Sequence, residues 1–337
     1  MSTTRTMKLI TIEEHTLHPA VAEASAARTA EVSPGFGASY APASGLPYSP
    51  SAEVLEDLDE GRLATMDADG IDMQVLSNLT TQYLPADVAP ELVRDVNDRL
   101  AAACERHPDR FAAFASLPTT AAEHAPDELR RAVQELGFVG TLIHGRTDDE
   151  FLSAERFDPI LRTAAELRVP IYLHPAPPTR VTAADNYEAG LDEVVATRFA
   201  TAGWGWHNES GIHFIHLVLS GVFDRYPELQ FILGHWGEAV PWYVDRLDEA
   251  LPREATGLDR TIGEYVRQNT YYTPSGMFTA PHLRFCTDLL GTDRMIHSVD
   301  HPFVSGTGAR AFLADSGLSE DAQHDIAHRN AERLLRL

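Results

Sequence analysis

The sequence has almost no lysine: Lys8 is the only one among 337 residues, so arginine carries nearly all of the positive charge. Acidic residues outnumber Lys and Arg by 50 to 27, which leaves a formal net charge of −23. Such an acidic protein is a poor general binder of nucleic acids or anionic membranes, because both are negatively charged. It can still bind an anionic substrate, since a local metal ion or arginine can override the overall field.

Cysteine is also scarce, with only Cys104 and Cys286 in the whole chain. Two cysteines cannot build a disulfide framework, and their scarcity fits a reducing compartment. No apolar run approaches the roughly 20 residues that a membrane-spanning helix needs. Residues 1–7 are polar and lack the apolar stretch of a secretory signal. We therefore expect a cytoplasmic protein whose partners include neither nucleic acid nor membrane.

Short apolar runs alternate with segments of helical periodicity along the chain, and no linker rich in glycine or serine divides it. The candidate strands are residues 9–12, 72–77, 110–117, 138–145, 169–175, 229–235, 270–273 and 294–300. Eight strands alternating with helices predict an α/β fold, a single (β/α)8 TIM-type barrel domain over residues 1–337. A doubly wound sheet is the alternative, but no Gly-rich phosphate loop follows the first strand.

Residues 16–51, between the first strand and the first helix, are expected to form a long loop insertion. This stretch contains Pro34-Gly35 and Gly45-Leu46-Pro47, which are typical of loops. Loops of this length in a compact domain are usually lids, binding loops or disordered segments. A lid or an oligomer contact is one interpretation, and a mobile connection is the other.

Four of the candidate strands end in histidine or an acidic residue. Glu13 and His15 follow the first strand, His174 the fifth, His235 the sixth and Asp300 the eighth. In a barrel the carboxyl ends of the strands converge on one mouth, which carries the chemistry. Imidazole and carboxylate donors suit Zn²⁺, Mn²⁺ or Fe²⁺ without distinguishing among them. We therefore expect a metal site at the mouth of the barrel.

Weaker candidates lie near the same strand ends. Glu238, three residues after His235, either orients that imidazole or is an ordinary acid in the first turn of a helix. His144 and Arg146 follow the fourth strand, and Trp206 ends the loop after the fifth. Each of these three is a candidate for substrate contact, although solvated loops and packing are common uses of such residues. Neither a GxSxG elbow nor a strand-end cysteine is present, which argues against a covalent nucleophile.

Together these motifs resemble the amidohydrolase superfamily over nearly the whole chain. The segments that carry the resemblance are Glu13-x-His15, Tyr172-Leu173-His174-Pro175, Leu233-Gly234-His235-Trp236-Gly237-Glu238 and Ser298-Val299-Asp300-His301-Pro302-Phe303. More narrowly, the sequence resembles metal-dependent, non-oxidative decarboxylases of the γ-resorcylate, 2,3-dihydroxybenzoate, 5-carboxyvanillate and aminocarboxymuconate-semialdehyde type.

The resemblance implies site roles by position. It places Glu13, His15, His174 and Asp300 on the metal-ligand positions of that family. It places His235 and Glu238 on the positions of its catalytic His-Glu pair. Two features depart from the pattern: the long stretch 16–51, and His144, where these decarboxylases usually have Asn-Gly.

The shortage of lysine bears on the number of metal ions. Binuclear members of the superfamily use a carbamylated lysine as a bridge, but Lys8 precedes the first strand and cannot reach the mouth. We therefore predict one divalent ion, with Zn or Mn favoured and Mg or Fe also compatible, and no organic cofactor. The resemblance also implies a homodimer or homotetramer.

The expected reaction is loss of CO2 from a small aromatic acid with an ortho hydroxyl group, which makes the protein a carbon–carbon lyase. Protonated Asp300 would deliver a proton to the ring carbon that bears the carboxylate, and His235 with Glu238 would handle the phenol proton or orient the substrate. One alternative is a mononuclear metal-dependent hydrolase of a lactone or amide, in which Asp300 is the base for a water molecule. Another is a barrel that binds a ligand without catalysis.

Overall fold

The computed structural model describes residues 7–337; the segment 1–6, part of the polar N-terminus discussed above, lies outside this range. Within it, seven parallel strands form two sheets, ordered β1-β2-β3 and β4-β5-β6-β7. The strands are β1 Ile10–Thr16, β2 Met73–Asn78, β3 Phe111–Ala113, β4 Thr141–His144, β5 Ile171–His174, β6 Phe231–Leu233 and β7 Thr270–Tyr272. Nearly all of their residues are buried, as expected of parallel strands covered on both faces.

Single backbone bridges join the two sheets into a ring. The bridges are Ala115–Thr141, Tyr272–Met295 and Ile12–Ser298. Residues 295–298 therefore occupy the eighth strand position, between β7 and β1. The predicted eighth strand, residues 294–300, is reduced to these bridges, and the backbone at Asp300 has a φ of 68°. The (β/α)8 barrel predicted from the sequence is confirmed.

Helices connect the strands and cover the barrel. The longer ones are Pro19–Val32, Glu60–Asp69, Ala89–Arg106, Ala125–Gln134, Asp158–Leu167, Glu193–Ala200, Gly205–Leu219, Val240–Ala250, Ile262–Gln268 and Ala280–Leu290. The shorter ones are Phe36–Ser39, Ala52–Glu56, Arg180–Ala183, Val222–Arg225, Arg253–Thr256, Ala309–Ala314, Glu320–His324 and Asn330–Leu335. Among residues 7–337, no helix has the length and hydropathy needed to cross a lipid bilayer.

The apolar core divides into two layers, because side chains alternate along each strand. Ile10, Ile12 and Tyr172 belong to a cluster that fills the barrel interior. Leu173 and Leu233 belong to a larger cluster shared with the surrounding helices. Each fully buried aliphatic side chain contributes about 1.5–3 kcal/mol, so these two layers hold the strand ends of the mouth in place.

Residues 16–51 are largely helical rather than irregular, which corrects the expectation of a long loop. The Pro19–Val32 helix occupies 14 residues and begins at a proline, a residue that the first turn tolerates because its missing N–H needs no partner there. Its buried residues are Val21, Ser25 and Val32. An apolar stripe this thin gives no clear periodicity, so the sequence pattern did not reveal the helix.

Candidate active site

A β-bulge in β1 places Glu13 at the mouth. Ile12 pairs with Val75 and Glu14 with Leu76, so Glu13 is an extra residue without a partner in the ladder. Its φ is 75°, a left-handed conformation that non-glycine residues seldom adopt. Bulges occur next to active sites because they re-aim a side chain.

The carboxylate of Glu13 is fully buried and held on one side only. Its Oε2 accepts hydrogen bonds from the hydroxyls of Ser275, Ser298 at 3.3 Å and Thr273 at 3.4 Å. Its Oε1 has no hydrogen-bond partner. Burial, opposed by the charge of His235, raises the pKa of Glu13 to about 7. One oxygen of Glu13 is thus fixed, and the other is free to bind a ligand.

His15 and His174 lie side by side, and the Nδ1 atom of each ring already has a polar partner. The Nδ1 of His15 lies 3.0 Å from the hydroxyl oxygen of Ser77, and the Nδ1 of His174 donates to the carbonyl of Pro175 at 2.8 Å. The ring centroids of the two histidines are 4.7 Å apart. Burial holds the pKa of His174 well below its usual range, so the ring is neutral with a lone pair on Nε2. Partners of this kind commonly orient metal-binding histidines.

Asp300 completes the cluster from the eighth strand position. Its Oδ1 lies 3.0 Å from Nε2 of His15, and its Oδ2 lies 3.9 Å from Nε2 of His235. Burial alone would raise the pKa of Asp300, but the neighbouring imidazoles of His15 and His235 outweigh it and lower that pKa. Asp300 is therefore ionised in the free protein.

The four predicted ligands are brought together in a geometry that suits one metal ion. One ligating atom from each of Glu13, His15, His174 and Asp300 lies within 4.8 Å of the others. Two imidazole nitrogens and two carboxylate oxygens match the preferences of Zn²⁺, Mn²⁺ and Fe²⁺. Oε1 of Glu13 and Nε2 of His15 are buried without a hydrogen-bond partner, and a cation would satisfy both. The residues present therefore fit a single divalent ion.

His235 and Glu238 lie on a tight turn after β6. Five consecutive residues, 235–239, all have positive φ, between 48° and 87°. This backbone brings Nδ1 of His235 to 2.7 Å from Oε1 of Glu238. Burial would lower the pKa of His235, but the charges of Glu238 and Glu13 raise it well above its usual range. His235 is therefore protonated, and its Nε2 faces Asp300.

His207 is a member of the site that the sequence reasoning missed. Its Nδ1 lies 2.9 Å from Oε2 of Glu238, the oxygen that His235 does not use. The indole N–H of Trp206 donates to Nε2 of His207 at 3.0 Å. His207 is in the first turn of the Gly205–Leu219 helix rather than at a strand end. No pattern in the sequence distinguishes it from an ordinary helical histidine.

Of the two candidate substrate contacts after β4, His144 lies beside the ligand cluster and Arg146 does not. His144 is buried beside His174, with ring centroids 4.7 Å apart, and neither of its nitrogens has a hydrogen-bond partner. Burial lowers the pKa of His144 to about 3, so this ring is neutral. Arg146 lies outside the cavity: it pairs with Glu209 at 2.8 Å and covers the ring of Phe151 at 3.8 Å. The structure therefore does not bring Arg146 to the cavity, and its charge is already paired with Glu209.

A cavity of about 870 Å³ opens above the four candidate metal ligands. The residues that line it include His15, His144, His174, His235 and Asp300. The aromatic residues on its walls include Phe36, Tyr40, Tyr83, Trp204, Trp206 and Phe303. Trp206 stacks beside Tyr40 with centroids 6.2 Å apart. The cavity thus combines a polar floor with walls suited to an aromatic ring.

Comparison with known proteins identifies a family and its relatives. A model of the family described as amidohydrolase matches residues 41–337. Decarboxylase orsB of Emericella nidulans is 37% identical over 294 residues, which are 85% of this chain and 88% of the relative. Gamma-resorcylate decarboxylase of Rhizobium radiobacter is 33% identical over 301 residues, 84% of this chain and 88% of the relative.

A solved structure adds a bound metal and ligand. The dihydroxybenzoic acid decarboxylase of Polaromonas sp. superimposes with a TM-score of 0.85 at 30% identity, covering 98% of this chain and 97% of that one. That structure contains manganese and the inhibitor 2-nitroresorcinol. The two chains therefore share one fold over nearly their whole length.

Proposed function

This chain belongs to the amidohydrolase family, and we propose that it is a metal-dependent, non-oxidative decarboxylase of small hydroxy-aromatic carboxylic acids. The observation that carries the proposal is the cluster of Glu13, His15, His174 and Asp300 beneath an aromatic-walled cavity. The relatives reported above are decarboxylases, and the solved one holds manganese with a ring-shaped inhibitor. The protein is thus a carboxy-lyase that uses one divalent ion and a small carboxylate substrate.

The four residues Glu13, His15, His174 and Asp300 would hold the ion. When bound, it supplies Lewis-acid chemistry, anchoring the substrate carboxylate and an ortho oxygen and stabilising the charge that develops on them. The chain's contribution is to fix these donors on rigid strand ends. Ser77 and the Pro175 carbonyl orient the two imidazoles, and the Ser275 hydroxyl orients Glu13.

The reaction replaces a carboxylate on the ring with hydrogen, so it consumes one proton for each CO2 released. Asp300 faces the cavity and would deliver that proton to the ring carbon. Because the neighbouring imidazoles of His15 and His235 keep Asp300 ionised in the free protein, it must first be protonated. His235 is protonated and its Nε2 lies 3.9 Å from Oδ2 of Asp300, so it can supply the proton.

His144 and Trp206 would contact the substrate itself. Both nitrogens of His144 are free, and a neutral imidazole can donate one hydrogen bond and accept another. An oxygen substituent on the ring would satisfy its N–H. The indole of Trp206 lines the cavity and offers an aromatic face to the ring.

We also propose a homodimer or homotetramer in the cytoplasm. Trp204, Trp242 and Tyr243 are exposed by more than half of their surface, an uncommon state for large aromatic side chains. Cys104 and Cys286 are free thiols, which fits a reducing compartment. Light scattering at working concentration would test the assembly, and a monomer would contradict it.

The experiment is a turnover assay on purified, metal-supplemented protein with a panel of ring acids. We expect CO2 release from benzoates with one or two ortho hydroxyl groups, and no release from para-hydroxybenzoate, which cannot chelate through its hydroxyl. Lactones and amides are assayed in parallel for acid release. Hydrolysis without decarboxylation would overturn the proposal in favour of the metal-dependent hydrolase.

A further inference from the structure

The carboxylate of Glu238 is shared by two imidazoles. Oε1 lies 2.7 Å from Nδ1 of His235, and Oε2 lies 2.9 Å from Nδ1 of His207. Glu238 is only 2% exposed, so water does not solvate these oxygens. The two rings lie close together, with centroids 4.2 Å apart. Each oxygen of this buried charge therefore depends on a single histidine.

The helix that carries His207 is packed directly against the turn that carries Glu238. A Cβ built on Gly211 would lie 2.4 Å from the carbonyl oxygen of Glu238, so only glycine allows this approach. His207 is in the first turn of the same helix, four residues before Gly211. The distance between the imidazole and the carboxylate is thus set by packing between two rigid elements.

Nε2 of His207 has a hydrogen-bond partner whether or not it carries a hydrogen. When the ring is neutral, Nε2 accepts from the indole N–H of Trp206 at 3.0 Å. When the ring is protonated, Nε2 can donate instead to the carbonyl of Ala202 at 3.2 Å. In both states Nδ1 carries a hydrogen, and it donates that hydrogen to Glu238.

We propose that His207 is a positioning residue for His235, acting through Glu238. His207 holds the Glu238 carboxylate in place, and that carboxylate holds the imidazole of His235 next to Asp300. The inference rests on the proposed function, because it assigns His235 a part in the proton delivery. Without His207, Oε2 would be a buried carboxylate oxygen with no donor. The carboxyl group would then rotate or take up a proton, and His235 would lose its anchor.

Three substitutions of His207 test the role. Asparagine and glutamine both carry an amide N–H donor, but they place it at different distances from the backbone. His207→Asn keeps a donor near the position of Nδ1, whereas His207→Gln reaches towards Nε2 and His207→Ala has no donor. We expect the alanine and glutamine variants to lower kcat about tenfold or more with KM and metal content unchanged, and the asparagine variant to retain most activity. His216→Asn is the control, since His216 is exposed on the same helix and stacks on Phe151.

Wild-type kcat in His207→Ala, or an asparagine variant as impaired as alanine, would overturn the proposal. Proton NMR of the imidazole N–H signals gives a readout that needs no turnover. The Nδ1 proton of His235 is expected to shift in His207→Ala and to stay in place in His207→Asn. An unchanged signal in His207→Ala would overturn the positioning role. Absence of decarboxylation by the wild type would instead overturn the proposed function, and the NMR result would stand on its own.

Discussion

The carboxylate of Glu14 binds the backbone N–H groups of the two residues that flank Asp300. Oε1 of Glu14 accepts from the N–H of Val299 at 3.1 Å, and Oε2 accepts from the N–H of His301 at 3.2 Å. The carboxyl group of Glu14 is fully buried. It therefore stabilises the left-handed conformation of Asp300, whose φ is 68°. The residue between Glu13 and His15 thus positions the fourth member of the cluster without touching its side chain.

Glu14→Gln is expected to weaken both stability and catalysis. The amide NH2 cannot accept a hydrogen bond, so one of the two backbone N–H groups loses its partner inside the protein. An unsatisfied buried donor costs about 1–3 kcal/mol. We expect denaturant unfolding to show a loss of that size, and kcat to fall because Asp300 is less well placed. Unchanged stability and kcat would refute this role for Glu14.

Glu14 should also make stability depend on pH. Burial raises the pKa of Glu14 to about 8 from an ordinary value of 4.5. Between these values the unfolded chain is ionised while the folded protein retains the proton, so the free energy of unfolding falls as pH rises. Each pKa unit corresponds to about 1.4 kcal/mol, so the total change is several kcal/mol.

The check is to measure unfolding of the metal-free protein from pH 4.5 to pH 8 in parallel with Glu14→Gln. The difference between the two curves isolates Glu14 from Glu13, whose pKa is also raised. We expect the free energy of unfolding of the wild type, relative to that of the variant, to fall steadily with rising pH, because only the wild type loses stability through this group. Parallel curves would show that Glu14 does not titrate in this range.

The sequence predicted the barrel and the floor of the site because both follow local rules. Buried parallel strands appear as apolar runs, and strand ends at one mouth explain why Glu13, His174 and Asp300 converge. His207 and Arg146 show where such rules stop. Whether a helical histidine or a loop arginine reaches the cavity depends on how helices pack on the barrel, and that information is spread over distant parts of the chain.

Gly234 provides a steric test of the site. A Cβ at this position would lie 2.8 Å from both Oε1 of Glu13 and the hydroxyl of Tyr172, and 2.7 Å from that of Ser275. We therefore expect Gly234→Ala to displace Glu13 and to lower metal affinity at least tenfold, measured by titration with Mn²⁺ or Zn²⁺. Gly37→Ala is the control, because nothing lies within 4 Å of its added Cβ. Equal affinities in the two variants would contradict the assignment of Glu13.

His15→Ala and His174→Ala should each lose the metal while the fold survives. Both side chains contribute donors at the mouth, whereas the barrel interior is held by apolar residues of the strands. We expect about one equivalent of metal per wild-type chain and well under a tenth in either variant, with similar far-UV circular dichroism. Elemental analysis decides: two equivalents in the wild type, or full metal in both variants, would refute the single site.

Asp300→Asn should abolish decarboxylation more severely than it weakens metal binding. The amide oxygen remains a ligand, although a poorer one than a carboxylate, whereas the amide cannot carry the proton that the ring carbon must receive. The usual loss on removing a general acid is about a hundredfold or more. We expect a loss of that size in kcat, measured as CO2 release at saturating metal.

The control for this substitution is Asp185→Asn, which changes an exposed carboxylate and should retain wild-type kcat. Asp300→Asn should still bind an ortho-hydroxybenzoate in a direct titration, because binding to the metal needs no proton from the enzyme. If Asp300 were only a ligand, adding metal would restore most of the rate. Recovery of that kind would move the proton-donor role to His235, whose Nε2 is 3.9 Å from the same carboxylate.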